Sequence, residues 1–140
     1  MAETLTGGSY TVTIGGVDVT GWQSVTIPGN RTKIDSDGTL GETVYDDLVM
    51  ERVLLAGDTT LHDWRTDVLQ GKMDAARRGV AVEVLDDSGT VQIRWEFTNA
   101  WPKEYDTLSL RTAADSNAAS YDDAATEQVT VVFDSMDRTV

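Results

Sequence analysis

The sequence predicts a mainly β protein, an antiparallel β-sandwich or barrel of six or seven strands with one flanking α-helix. Two observations support this class: apolar residues alternate with polar ones along much of the chain, and one segment changes to helical spacing. The chain has 140 residues and no internal repeat, which is enough for one hydrophobic core. Residues 1–140 are therefore predicted to form a single domain.

The first strands are predicted from period-two alternation near the start of the chain. Tyr10, Val12 and Ile14 alternate with threonines, and Gly15 and Gly16 allow the positive φ angles of a tight hairpin. The alternation continues at Val17, Val19, Trp22, Val25 and Ile27.

Residues 28–47 are rich in Gly, Asn, Asp, Ser and Thr and contain few apolar positions. They are predicted to form a loop, with at most a short strand at residues 32–34, and loops of this length in small domains are usually functional. The denser apolar run at residues 48–56 predicts a strand.

A helix is predicted after residue 57, where the apolar spacing changes. Leu61, Trp64 and Val68 lie three and four positions apart, as expected for one helical face. Residues 58–60 can cap its start, and Gly71 can end it. Trp64 is expected to be buried because it lies on the apolar face.

A second hairpin is predicted with its turn at residues 86–89. Its apolar positions are Val80, Val82, Val84, Val91, Ile93, Trp95 and Phe97. Pro102 has no N–H group, so residues 99–102 are predicted to break the strand. Later strands are predicted at residues 107–111 and 127–134, with an acidic loop at residues 113–125 between them.

The charge excludes one large class of function. With a formal net charge of −13 and a pI near 4.2, the chain lacks the cations that nonspecific nucleic-acid binding requires. The absence of cysteine excludes disulfides and thiolate metal sites. No signal sequence or membrane-spanning apolar run is recognised, so synthesis in the cytoplasm and no membrane binding by the subunit are expected.

No catalytic, cofactor-binding or metal-binding residue is predicted. His62, the one histidine, stands on the polar side of the predicted helix, with no nucleophile motif to accompany it. Acidic pairs occur at residues 35–37, 46–47, 86–87 and 122–123, but the first lacks the spacing of a calcium loop. A hydrolase using an acidic pair has only the abundance of Asp to support it.

An alternative function remains open at this point, a monomeric carbohydrate-binding or calcium-dependent β-sandwich module. Such a module would use Trp22, Trp101 and the acidic loops. Trp64 and Trp95 fall on apolar phases of their elements, which favours burial for those two side chains.

The chain resembles one protein family in its opening hairpin and at residues 61–72, 77–79 and 94–105. It is the family of contractile phage tail tube proteins and inner tube proteins of extracellular contractile injection systems. The resemblance extends over residues 8–136, and its most specific part is the string Arg-Trp-x-Phe-x-Asn-Ala-Trp-Pro at residues 94–102.

The resemblance implies a structural protein with no active site and no cofactor. Such subunits form six-membered rings that stack into a tube around a channel for DNA or protein cargo, which passes without specific binding. The implied partners are further copies, sheath, baseplate and tube-terminating proteins, in a virion tail or a cytoplasmic or extracellular injection particle. Gln92, Arg94 and Glu96 are candidates for a solvent-facing side of the sheet, toward either the lumen or the exterior.

Overall fold

The computed structural model describes residues 9–108 and 125–140. These residues form ten strands and two helices, which confirms the predicted mainly β class. In chain order the elements are β1 (Tyr10–Ile14), β2 (Val17–Val19), β3 (Trp22–Thr26), β4 (Asn30–Ile34), β5 (Leu40–Tyr45), β6 (Leu48–Val53), α1 (Thr60–Leu69), α2 (Met73–Ala76), β7 (Arg78–Leu85), β8 (Val91–Leu108), β9 (Thr126–Val132) and β10 (Ser135–Thr139). The predicted number of strands, six or seven, was too low.

Eight of the strands form one antiparallel sheet in the order β2-β1-β7-β8-β9-β6-β3, with β10 also paired to β8. The strand β8 is 18 residues long and belongs to two layers. Its first half pairs with β7 and β10, and from Trp101 onward it pairs with β9. We call β2, β1, β7, the first half of β8 and β10 the first layer, and the remaining paired strands the second layer. Within the described residues the terminal strands β2 and β3 are not paired with each other, so the sheet is open.

The hydrophobic core lies between the two layers. Alternating strand positions supply its side chains, with period two as predicted for half-buried strands. The fully buried members include Val12, Ile14, Val80, Val82 and Phe97 from the first layer, and Leu48, Met50, Val129 and Val131 from the second.

The predicted helix is confirmed as α1. Leu61 and Trp64 are fully buried on its inner face, and the Trp64 indole N–H donates to the carbonyl of Ala76 at 2.6 Å. Gly71 has a φ of +75°, and its N–H donates to the carbonyl of Val68 at 3.0 Å, so this glycine ends the helix as expected.

Both predicted hairpins are present. Gly15 and Gly16 have φ angles of +61° and +81° in the turn between β1 and β2. In the turn between β7 and β8, the Asp86 carboxylate accepts the N–H groups of Ser88 and Thr90, each at 2.9 Å.

The prediction of a loop at residues 28–47 was wrong. Strands β4 and β5 form a separate two-stranded sheet in this segment, and the predicted short strand at residues 32–34 lies within β4. Every residue of β4 is exposed. Because neither face of β4 is buried, its sequence lacks the alternation that marks a half-buried strand.

The predicted strand break at residues 99–102 was also wrong. Asn99 has a φ of +52°, which bends β8 without ending it, and Pro102 stands opposite Val131 in the pairing with β9. Proline is tolerated here because its other side is a sheet edge, where Arg65 from α1 donates to the Pro102 carbonyl at 2.9 Å.

The C-terminal predictions are met in part. The strand predicted at residues 127–134 corresponds to β9, and the first two residues of the strand predicted at 107–111 are the end of β8. Residues 109–111 and nearly all of the loop predicted at 113–125 lie outside the described residues. None of the helices in the described ranges is long and apolar enough to cross a membrane.

Candidate assembly interface

Both lateral edges of the first layer are free of backbone partners in the described chain. At one edge β2 pairs only with β1, and at the other β10 pairs only with β8. Such edges present unpaired N–H and C=O groups, which can pair with a further strand. The first layer can therefore be extended from either side by another polypeptide.

The outer face of the first layer is polar. Glu83 stands opposite Arg94 across β7 and β8, and the Arg94 guanidinium contacts the Glu83 and Glu96 carboxylates, each at 2.6 Å. The hydrogen bond to Glu96, and to a smaller extent the one to Glu83, raises the pKa of Arg94. Gln92 on the same face donates to Asp86 at 3.0 Å. The prediction that Gln92, Arg94 and Glu96 share a solvent-facing side is confirmed.

Strands β4 and β5 form a projecting hairpin, which we call the arm. Its apolar side chains Ile34 and Leu40 are 75% and 84% exposed, although they stand opposite one another in the pairing. An exposed apolar pair on a hairpin that has no other sheet partner among the described residues is typical of a protein contact surface.

The arm is attached to the rest of the structure at its root. The N–H of Asp46 donates to the carbonyl of Gly29 at 2.9 Å, which closes the base of the hairpin. The Tyr45 ring packs against Phe133 with centroids 5.4 Å apart, and Phe133 in turn packs edge-on against Phe97 in the core at 4.9 Å. These aromatic contacts fix the root of the arm relative to the first layer.

A buried group of charges lies in the second layer. The Arg52 side chain has no exposed surface, and its Nε donates to Oε2 of Glu127 at 2.8 Å. The remaining guanidinium nitrogens both donate to the Asp58 carboxylate at 3.1 Å. Tyr105 donates its hydroxyl to the other oxygen of Glu127 at 2.8 Å. Each buried charge thus has a charged partner, as burial requires.

The electrostatics of Arg52 and Asp58 favour the ionised forms of these two side chains. Burial acts to lower the pKa of Arg52, but the hydrogen bonds to Asp58 and the charge of Glu127 outweigh it, so the pKa is raised. Hydrogen bonds from Arg52 and from Thr60 hold the pKa of Asp58 well below its usual range. Because Asp58 also accepts the backbone N–H of Thr60 at 3.1 Å, the group fixes the start of α1 against the second layer.

This buried group was missed in the sequence. Arg52 interrupts the apolar run at residues 48–56, and that interruption was the available signal. Its partner Glu127 is 75 positions away in the chain, so pairing could not be recognised without the sheet register.

Among the residues that the structure describes, the remaining candidates do not come together in a catalytic or metal site; the acidic pair at residues 122–123 lies outside them. His62 is exposed on α1, edge-on to the Tyr105 ring at 6.0 Å. Hydrogen bonds from Thr39 lower the pKa of Asp37. Hydrogen bonds, chiefly the one from Ser88, lower the pKa of Asp86. Both carboxylates thus bind groups of their own turns. No group of three or more His, Cys, Asp or Glu residues in the described ranges could hold a metal ion.

The tryptophans of the alternative module do not form a common open surface. The Trp22 indole N–H donates to the carbonyl of Val19 at 2.7 Å, and the Arg52 guanidinium lies 5.9 Å from its ring centroid. Trp101 is half-buried on β8, opposite Val132. Trp22 is thus part of the surroundings of the buried charges.

Comparison with known proteins gives one family and a consistent fold. The family model described as T4-like virus tail tube protein gp19 matches residues 8–137. No curated protein sequence matches the chain.

Several solved structures share the fold. The chain is similar to one in the sheath/tube terminator of an extracellular contractile injection system, PVC, in its extended state, with a TM-score of 0.76, 18% identity and 99% of each chain covered. It is similar to one in the tube-terminating cap of the anti-feeding prophage, with a TM-score of 0.68, 16% identity and 100% and 93% of the two chains covered. For Hcp1 from Flavobacterium johnsoniae the TM-score is 0.66, with 19% identity over 92% and 93% of the two chains.

Proposed function

The chain belongs to the family of T4-like virus tail tube proteins, whose model matches residues 8–137, and from this we propose that it forms hexameric rings that stack into a tube. The predicted family resemblance is confirmed. Because the family consists of structural tube proteins, the chain is a structural protein and not an enzyme.

The observation that carries the proposal is the first layer, with its two free lateral edges and its polar outer face. When one edge of each copy joins the opposite edge of the next, the contact is head-to-tail, and such contacts close into rings when the rotation allows. Closure would pair every lateral edge of the first layer. The resulting inner wall would be the polar face that holds Glu83, Arg94 and Glu96.

The arm supplies a second contact between copies. Ile34 and Leu40 project beyond the sheet and are exposed in the isolated subunit. Burying both against another copy would remove apolar surface from water, at about 25 cal/mol per Å². The arm is therefore assigned to contacts with neighbouring subunits.

A polar wall of this kind would let cargo pass without specific binding. Carboxylates repel polyanions such as DNA, and ion pairs already satisfy Arg94, so a passing chain meets no strong site. The proposal includes a single domain over residues 1–140, so that each copy contributes one domain to the ring. The neighbouring folds come from complexes with sheath, baseplate and terminating cap, which supports the same partners here, in a virion tail or an injection particle.

The proposal is tested by electron microscopy and analytical ultracentrifugation of the purified chain. We expect six-fold rings and hollow rods, with sedimenting species far larger than the 15.2 kDa subunit. A protein that remains a 15 kDa monomer at high concentration under all ionic conditions would contradict the tube. Glycan and calcium titrations of that monomer would then test the carbohydrate-binding or calcium-dependent module.

A further inference from the structure

A second exposed apolar pair lies where β2 is joined to β3. Leu54 and Leu55 directly follow β6 and are 36% and 37% exposed. Leu55 lies beside Gly21, since a Cβ atom placed on that glycine would be 3.4 Å from the Leu55 Cδ1. We call residues 19–22 and 53–56 the corner. None of these eight residues is charged, although 25% of the chain is, so the corner is an apolar patch on an acidic subunit.

Hydrogen bonds hold the corner in place within the isolated subunit. The N–H of Val53 donates to the carbonyl of Gly21 at 3.0 Å. The buried Arg52 guanidinium donates to the carbonyl of Thr20 at 3.3 Å and lies 5.9 Å from the centre of the Trp22 ring. A surface that is fixed in advance loses little conformational freedom when a partner binds. The buried group of charges thus also prepares the corner for a contact.

The corner and the arm lie at opposite ends of β6. The root of the arm directly precedes Leu48, which stands opposite Val131 near the end of β9. Val53, in the corner, stands opposite Thr126 at the start of β9. The two ends are about 17 Å apart along the strand. When copies stack end to end along this direction, the arm end of one copy meets the corner end of the next.

The surroundings of the corner complement those of the arm end. A groove of about 420 Å³ lies between β1 and the corner, and exposed Asp18 lines it with no cation of the described residues within ion-pair distance. Tyr10 lines the same groove, and its hydroxyl is buried without a hydrogen-bond partner among the described residues. The arm carries Lys33, whose Nζ is 3.9 Å from exposed Glu42, a loose pair that leaves the cation open to a second carboxylate. A backbone carbonyl of an incoming chain can accept the tyrosine hydroxyl.

We propose that the end of the arm docks on the corner of a copy in the next ring. Ile34 and Leu40 then cover Leu55, and Lys33 approaches Asp18. The inference rests on the proposed function and deepens it by naming the surface that receives the arm. Because the two surfaces differ, the contact is head-to-tail and joins one ring to the next without closing on itself.

Engineered cysteines test the contact directly, because the chain contains no cysteine of its own. After assembly and mild oxidation, Leu40→Cys with Leu55→Cys should yield a ladder of covalent oligomers in non-reducing denaturing electrophoresis. The ladder should continue past six copies, because a contact between rings extends along the tube whereas a contact within a ring ends at six. The matched control, Leu40→Cys with Leu69→Cys, uses a more exposed leucine outside the corner and should give at most a tenth of the product.

The outcomes separate this inference from the function on which it rests. A ladder that stops at six would place the arm against its own ring and overturn the contact between rings. Tubes in which the corner pair cross-links no more than the control would overturn the docking surface alone. Absence of any rings or rods from the parent chain would overturn both the docking and the proposed function.

An exchange of charges tests the same contact without cross-linking. Leu40→Asp and Leu55→Lys should each raise the protein concentration needed for half-assembly into rods at least threefold, and their combination should return it to within twofold of the parent value. Leu40→Asp with Leu69→Lys is the matched control and should remain as weak as Leu40→Asp alone. Thermal midpoints of the subunits show that each variant is folded. A folded combination that assembles no better than the control would contradict direct docking.

Discussion

Arg52 and Glu127 stand directly opposite one another on β6 and β9, and the Arg52 Nε donates to the Glu127 carboxylate at 2.8 Å with both side chains buried. Asp58 binds the other end of the same guanidinium. One cation therefore joins two strands of the second layer to the start of α1.

Removing the cation should strongly destabilise the subunit. In Arg52→Met the Glu127 carboxylate stays buried without its partner, which typically costs about 3–5 kcal/mol. Urea denaturation followed by circular dichroism measures the free energy of unfolding. The matched control is Arg31→Met, which breaks the exposed pair with Asp46 and should cost about 1 kcal/mol or less. Equal losses in the two variants would contradict the structural role assigned to burial.

Acid should remove the contribution of Asp58. Its pKa in the folded protein lies below the ordinary value of 3.8, chiefly because Arg52 and Thr60 donate hydrogen bonds to it. A lowered folded pKa stabilises the fold fully above the unfolded pKa, and that contribution is lost as pH falls through the folded pKa. Asp58→Asn should therefore be less stable than the parent at pH 7, with the difference shrinking below about pH 4. Unfolding free energies measured from pH 7 to pH 2 test this, with exposed Asp87→Asn as the control; a deficit that does not change with pH would contradict it.

The bend in β8 should tolerate glycine better than alanine. Asn99 has a φ of +52°, a conformation that costs residues with a Cβ atom about 1–2 kcal/mol. Both Asn99→Gly and Asn99→Ala lose the hydrogen bond to Asp134, so their difference isolates the backbone. We expect Asn99→Gly to be more stable by about 1 kcal/mol in thermal unfolding. A more stable alanine variant would show that the bend relaxes.

Charges at the end of the arm should block assembly without affecting the fold. In Ile34→Asp with Leu40→Asp, two exposed apolar side chains become anionic, so the thermal midpoint of the subunit should change little. Tube length and yield in electron micrographs should fall at least tenfold. The matched control is Leu69→Asp on α1, a residue that is also exposed and should assemble normally. Normal tubes from the arm variant would remove the arm from the interface.

Salt should strengthen assembly. Each copy carries a formal charge of −13, and packed copies repel one another over the screening length, which is about 30 Å at 0.01 M salt and about 10 Å at 0.1 M. Sedimentation across a salt series should show more tube at higher ionic strength. Equal tube formation near zero salt would show that repulsion does not limit assembly.

The elements that sequence reasoning located correctly are those with one buried face. Val80 and Val82 alternate with residues of the other face, and Leu61 and Trp64 are three positions apart on α1. All four side chains are buried, so the spacing of the apolar residues in the sequence reflects the buried face. Residues 30–34 of the arm have no buried face and therefore no alternation of apolar and polar residues. The turn-forming residues were the only sequence signal for this hairpin.

Other features depend on contacts that no local window contains. Pro102 remains within β8 because its side toward α1 is an edge, where Arg65 reaches its carbonyl. The free edges of β2 and β10 follow from the strand order and not from either strand's own residues. Of the candidate interface, sequence reasoning therefore found the polar side chains of Arg94 and Glu96 but not the edges beside them.

The continuity of β8 also has a mechanical consequence. A push applied along the first layer reaches the strands of the second layer through the covalent backbone between Ala100 and Trp101, since both layers share this one strand. Sliding the layers past each other would require this backbone to deform, whereas two separate strands could shear by exchanging hydrogen bonds. Stiffness under thrust is thus built into the polypeptide of each subunit before any neighbour joins it.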